Sequence, residues 1–196
     1  MRRRLVLGLV MLMLAGVWML ALTSGSFVTH MIAHMTAVAV AAPLLALELG
    51  RPRWLMTPMA ALGACAVELV VVWGWHAPSL HAAAKDSIAV FAVEQTSFLL
   101  AGYAVWASAL PPRAPGGSPG LAGVGAMLAT SMHMTLLGGL LAVSSNAWYH
   151  HGEHALADQQ LGGVIMLAGG GIAYLAGAIA LLGSALSGAS RSSEPS

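Results

Sequence analysis

Two histidines open an apolar stretch of the chain, and their type and spacing point to chemistry more directly than any other residues. In "HMIAHM", residues 30 to 35, His30 and His34 are four residues apart, so both imidazoles lie on one face of a helix. Met31 and Met35 stand about 100° and 140° around the helix from His30, so the four side chains need not all meet. Imidazole suits copper, zinc and iron, whereas thioether sulfur favours Cu(I). The stretch therefore predicts half of a metal site, with copper as the first choice and the methionines as optional ligands.

A third ligand must come from another part of the chain, and His76 is the first choice. It follows "VVWGW", whose tryptophans suit a membrane interface, and it precedes Ala77 and Pro78, which end the helix. The alternative is an ordinary interfacial histidine beside tryptophans.

The other histidines are weaker candidates as metal ligands. His150 and His154 repeat the four-residue spacing, and although a glycine interrupts any helix between them, they are candidates for the place where metal enters. His133 lies deeper, in "SMHMTLLGG", where a ligand and a buried histidine satisfied by a neighbouring helix are equally good interpretations. His81 and His151 are expected to be hydrated at the surface.

Three carboxylates are candidates for partners of the imidazoles. Glu68 and Glu94 each lie about two turns inside an apolar run, and Asp158 follows the last histidines. A carboxylate inside a membrane is a functional candidate, either orienting a ligand imidazole or accepting a proton. For Glu94 the alternative is a protonated side chain in a structural hydrogen bond.

The elements that carry these residues are long apolar runs. Of the 196 residues, 58% are hydrophobic and only 8% are charged, which excludes a soluble domain. Six runs are long enough to cross roughly 30 Å of hydrocarbon, and in lipid such runs must be helices. They are approximately Leu5–Leu22, Phe27–Leu49, Leu55–Trp75, Ile88–Leu110, Leu121–Ser145 and Leu161–Leu186. The predicted fold class is therefore all-α, a polytopic transmembrane helical bundle.

The basic residues predict the orientation of this bundle. When the spans alternate sides, seven of the eight Lys and Arg residues fall on one face and only Lys85 falls on the other. The arginine-rich face and both termini are then cytoplasmic, and the histidine-rich face is extracytoplasmic. We expect the first span to be retained, because its apolar core is longer than that of a secretory signal peptide.

The chain is predicted to form one transmembrane domain, residues 1–188, followed by a disordered cytoplasmic tail, residues 189–196. The tract "PPRAPGGSPG" is interpreted as a cytoplasmic loop. The lone Cys65 excludes an internal disulfide. In the last span Gly169, Ala173 and Gly177 recur every four residues, which favours close helix packing.

Four segments carry a resemblance to a known family. They are "HMIAHMTAVAVAAPLLALELG", "WGWHAPSLHAAA", "EQTSFLLAGYAVWASAL" and "DQQLGGVIMLAGGG", and they are distributed over residues 30 to 171. In their order and spacing the chain resembles the CtaG-like family of bacterial cytochrome c oxidase assembly factors. The resemblance implies a multi-pass protein of the bacterial inner membrane that delivers copper to oxidase subunits, with an extracytoplasmic copper donor as a further partner. On this resemblance we expect a protein that is not an enzyme and does not bind nucleic acid. The oligomeric state is left open.

Other function classes are compatible with the same residues. Three histidines with a carboxylate and an open position describe a zinc-dependent intramembrane hydrolase, with Glu94 or Asp158 as the base. A haem-binding electron carrier would use His34 and His133 as axial ligands, although their different depths argue against it. The remaining alternative is a scaffold that binds no metal.

Overall fold

The computed structural model describes residues 2–50, 52–55, 57–111, 120–149 and 154–192, with side chains described as far as residue 187. Within these ranges it contains seven helices and no strand. They are α1 (Arg2–Ser24), α2 (Phe27–Leu49), α3 (Pro58–Trp75), α4 (Pro78–Asp86), α5 (Ile88–Ala109), α6 (Leu121–Val143) and α7 (Ala155–Ser187, with the helix running on to Ser192). All but α4 are long and apolar enough to cross a membrane. The predicted six-span helical bundle is confirmed.

The largest departure from the predicted spans lies at the start of α7. This helix begins at Ala155, six residues before the predicted Leu161, because its polar first turns are hydrogen-bonded to the segment before them. Gln159 accepts from the backbone N–H of Trp148 at 2.7 Å, and Gln160 donates to the Ser144 carbonyl at 3.0 Å. At its other end the helix runs to Ser192, inside the tail predicted to be disordered, and residues 193–196 lie outside the described part.

Helix α2 is not regular, and Pro43 explains how. Residues Thr36–Ala41 are π-helical, so the N–H of Ala42 bonds back to the Ala37 carbonyl. The Val38 carbonyl would next pair with residue 43, but proline has no N–H to donate. The Trp106 indole N–H satisfies it instead at 3.1 Å, and the Tyr174 hydroxyl lies 3.5 Å away. A carbonyl inside the membrane has no water to bind, so it needs a partner from the protein. The irregular turn therefore brings α2 into contact with α5 and α7.

Small residues allow α6 and α7 to approach closely. A Cβ at Gly138 would stand 2.7 Å from the backbone nitrogen of Leu167, and one at Gly163 would stand 2.5 Å from that of Ala142. Of the glycine face predicted in the last span, Gly169 lies against Met35, and a Cβ at Gly177 would be 2.8 Å from the Trp106 ring. The backbones of α6 and α7 therefore meet at Gly138 and Gly163, a turn or more before the predicted face begins.

The neighbouring glycines Gly138 and Gly139 test this packing. We expect Gly138→Ala to lower the free energy of unfolding by about 1–3 kcal/mol, because its methyl group would meet backbone atoms. Gly139→Ala is the matched control, since its nearest neighbour is a Leu167 methyl carbon at 4.0 Å. Melting temperatures of the purified variants in detergent measure both effects. A Gly138→Ala variant as stable as Gly139→Ala would contradict the close contact.

Candidate metal centre

Four imidazoles gather where α2, α3 and α4 meet, and all four are buried. His30 and His34 project from the first two turns of α2, His76 follows the last residue of α3, and His81 lies on α4. The ring centres are 4.6 Å apart for His30 and His81, 5.4 Å for His34 and His76, and 6.4 Å for His30 and His76. The structure thus brings together the three histidines predicted to share a site and adds a fourth.

The position of His81 contradicts the expectation of a hydrated loop histidine. Pro78 starts α4 within that loop, and the helix turns His81 and Ala84, three residues apart, toward the protein. His81 is 2% exposed and packs edge-on against the rings of Phe27 and His30. The signal was present in "HAPSLHAAAKD", where a proline followed by alanines is typical of a helix start.

Glu94 of α5 completes a group of potential ligands. Its Oε1 lies 3.6 Å from Nε2 of His30, and both side chains are buried. Each of His30, His81 and Glu94 offers one ligand atom, and the three atoms lie within 4.8 Å of one another. We call these three residues the triad. Glu94, predicted to act through an imidazole, therefore stands where it can itself be a ligand.

His76 has its proton on a defined nitrogen. Its Nδ1 lies 2.6 Å from the Val72 carbonyl, which can only accept, so Nδ1 carries the hydrogen and Nε2 carries the lone pair. Nε2 is buried and has no hydrogen-bond partner among the described residues. Burial lowers the pKa of His76 to about 4, and the bond to Val72 offsets only part of this effect. The side chain is thus neutral at physiological pH, the form that binds metals.

Aromatic rings cover the triad and position its neighbours. Tyr149 stacks on Phe27 with 4.3 Å between ring centres, and its hydroxyl donates to the His76 carbonyl at 2.7 Å. Burial, together with the Glu94 carboxylate, raises the pKa of Tyr149, so the phenol stays protonated and can donate this bond. The polar groups thus lie behind an apolar wall, where an imidazole without a partner is costly.

Asp158 and Lys85 anchor the elements around the site. Asp158 accepts from the Ser26 hydroxyl at 2.7 Å and from the backbone N–H groups of Phe27 and Val28 at 2.6 and 3.3 Å. These bonds cap the start of α2, so the contacts described for Asp158 fix a helix and do not orient an imidazole. Lys85 donates to the carbonyl of Gly25, whose φ of 67° makes the turn between α1 and α2. Burial lowers the pKa of Lys85 despite the nearby carboxylates of Asp158 and Asp86.

The predicted methionine ligands and His154 lie apart from the triad. Met31 packs against Gly162, and Met35 packs against Gly169 and Gly170, so both thioethers point toward α7. His154 is exposed at the start of α7, and His150 and His151 lie outside the described residues.

Glu68 and His133, the remaining predicted residues within the spans, differ in their hydrogen-bond partners. Glu68 accepts a hydrogen bond from the hydroxyl of Tyr174, so it has a structural partner in the last span. The two ring nitrogens of His133 have no hydrogen-bond partner among the described residues.

The residue types of the triad suit a metal ion. Two imidazoles and one carboxylate form a mixed nitrogen and oxygen ligand set that suits Cu(II) and Zn(II), and imidazole alone also accepts Cu(I). The residues fit such an ion because they are buried, come from three different helices and bring their ligand atoms within 4.8 Å of one another. With copper bound, these side chains would hold and orient the ion and would carry out no reaction step.

Removing the Asp158 carboxylate should loosen the site without touching a ligand. We expect Asp158→Ala to lower the free energy of unfolding by about 1–2 kcal/mol, because three donors at the start of α2 lose their acceptor. Asp86→Ala is the control, since Asp86 is an exposed carboxylate at the end of α4. Thermal unfolding of the purified proteins distinguishes them. Equal melting temperatures for both variants would show that the cap contributes no stability.

Comparison with known proteins agrees with the family resemblance. A family model described as cytochrome c oxidase caa3 assembly factor (Caa3_CtaG) matches residues 5–187, nearly the whole chain. Searches of curated proteins and of solved structures found no match. The resemblance carried by the four sequence segments is therefore confirmed, and the chain belongs to the family of cytochrome c oxidase caa3 assembly factors.

Proposed function

We propose that this assembly factor binds copper at the triad of His30, His81 and Glu94 and releases it to an oxidase subunit. The observation that carries the proposal is the convergence of three buried ligand atoms within 4.8 Å of one another. Helices α2, α4 and α5 each supply one of these residues. Membership of the family implies an oxidase partner and a membrane environment. The two imidazoles of the triad are ligands that suit copper.

The site suits a carrier better than a catalyst. A small pocket lined by Gly25, His30, His81 and Lys85 leads to the triad, so an ion can reach it without crossing the bundle. Three ligands leave coordination positions open for a donor or an acceptor protein, and exchange through such positions needs no covalent step. The partners on this view are an oxidase subunit and a copper donor.

A zinc-dependent hydrolase is the second candidate, and the Glu94 carboxylate favours it. Two histidines and a glutamate are a known ligand set for catalytic zinc. With Glu94 as a ligand, however, a separate base is required, and the contacts of Asp158 are with the start of α2. Zinc in excess of copper in the purified protein, together with peptide hydrolysis, would favour this candidate.

The decisive experiment replaces the ligands one at a time. We expect Glu94→Gln and His81→Asn to weaken copper binding at the triad at least about 10-fold, and to lower oxidase activity and oxidase copper content in cells. His154→Asn is the matched control, because this histidine is exposed and lies on α7. Copper affinity is measured on purified protein by competition with a chelator.

Two results of that experiment would overturn the proposal. If the wild-type protein bound no copper, the chain would act as a scaffold without a metal. Triad variants with unchanged affinity and unchanged oxidase copper would remove these side chains from the mechanism.

The orientation of the site can be tested with the same protein. We propose that the triad faces the extracytoplasmic side of the bacterial inner membrane, as the distribution of arginines predicts. A membrane-impermeant maleimide should label His154→Cys in intact cells and Trp54→Cys only after lysis, since both positions are exposed and lie at opposite ends of their spans. The wild type is the control, because its single Cys65 is buried. Labelling of Trp54→Cys in intact cells would reverse the orientation.

A further inference from the structure

The buried group contains four imidazoles, and the triad uses two of them. The triad does not explain the other two, His34 and His76. His34 is fully buried, and neither of its ring nitrogens has a hydrogen-bond partner among the described residues. The Nε2 lone pair of His76 is buried and lacks a described partner as well. Buried polar atoms are nearly always paired, so two such rings side by side require a reason.

The distances between ring centres divide the histidines into two pairs. A ring nitrogen lies about 1.15 Å from its ring centre and about 2.0 Å from a bound metal, so two imidazoles on one ion have centres at most about 6.3 Å apart. His30 and His81, at 4.6 Å, and His34 and His76, at 5.4 Å, are both well inside this limit. His30 and His76, at 6.4 Å, are at this limit. The two closer pairs are therefore each placed to share one ion.

The ring of His34 is also held in place. It stacks on Phe98 with 3.8 Å between ring centres and an angle of 15° between the planes. The tautomer of His76 is fixed by its bond to the Val72 carbonyl. Both features orient ligand atoms before an ion arrives, which lowers the cost of binding.

We infer that His34 and His76 form a second metal position, one helical turn further along α2 than the triad, and that this position takes Cu(I). The inference rests on the proposed function and adds a second ion to it. Among the described residues, no carboxylate forms a group with His34 and His76 in which the ligand atoms lie within 4.8 Å of one another, and both imidazoles are neutral ligands when they bind a metal. The cost of burying an ion rises with the square of its charge, so a dry site without a carboxylate favours a monovalent ion. The triad differs, because Glu94 supplies a negative charge that compensates a divalent ion.

The two positions are close enough for copper to pass between them. His76 stands 6.4 Å from His30 and 5.4 Å from His34, so it can replace a triad ligand as the ion moves inward. Such a step exchanges nitrogen and oxygen ligands only. Copper remains Cu(I) throughout, and no electron or proton acceptor is needed.

The stoichiometry of two metals tests this inference on the whole chain. Purified protein in detergent, kept anaerobic with Cu(I) buffered by a chromophoric chelator, should bind two Cu(I) per chain but only one Zn(II). Protein first loaded with Zn(II) should still take up one Cu(I). His34→Gln should bind one Cu(I) and one Zn(II), whereas Glu94→Gln should lose the Zn(II) and keep the Cu(I) at His34 and His76.

Each outcome bears on one of the two positions. A wild type that binds a single Cu(I), or a zinc-loaded wild type that binds none, would overturn the second position and leave the triad intact, and neither measurement depends on how a variant folds. A His34→Gln variant that still binds two Cu(I) would place the second ion elsewhere and would also overturn it. Protein that binds neither metal would instead overturn the proposed function itself.

Discussion

A polar group buried among membrane helices has no water to bind, and this constraint governs most of the structure. Proline at position 43 removes one backbone donor from α2, and the Trp106 indole N–H of another helix takes its place. One oxygen of the Glu68 carboxyl is matched in the same way by the Tyr174 hydroxyl. His34 has no such partner among the described residues, and on the proposed function its partner is an ion.

Helix α2 is the element on which the site and the bundle both depend. Its first turn is capped by Asp158 from the start of α7, and its next turns carry His30 and His34. Its π-helical turn then bonds to Trp106 of α5 through the Val38 carbonyl. The imidazoles are thus held between two fixed points of the same helix. On the proposed function, this arrangement places the ligands precisely before an ion arrives.

Sequence reasoning could predict the spans and the histidine pair because both depend on local periodicity. Apolar length defined all six membrane helices, and four-residue spacing placed His30 and His34 on one face. It could not predict that His81 turns inward, since a nine-residue surface helix leaves only a weak pattern in a short loop. It also could not assign Met31 and Met35, because their direction depends on where α7 packs against α2. The approach of Glu94 to His30 likewise depends on distances between helices far apart in the chain.

The contrast between Glu68 and His34 separates structural from functional burial. Both are completely buried polar side chains within apolar spans. Glu68 has a hydroxyl donor from another helix, so its role is explained by the packing of the bundle. His34 is covered by the flat face of Phe98 and lies 5.4 Å from a second imidazole, yet neither contact satisfies a ring nitrogen. Leucine or methionine would fill such a space without the cost of burying unpaired nitrogen atoms. On the proposed function, a histidine is kept there because a metal uses its lone pair.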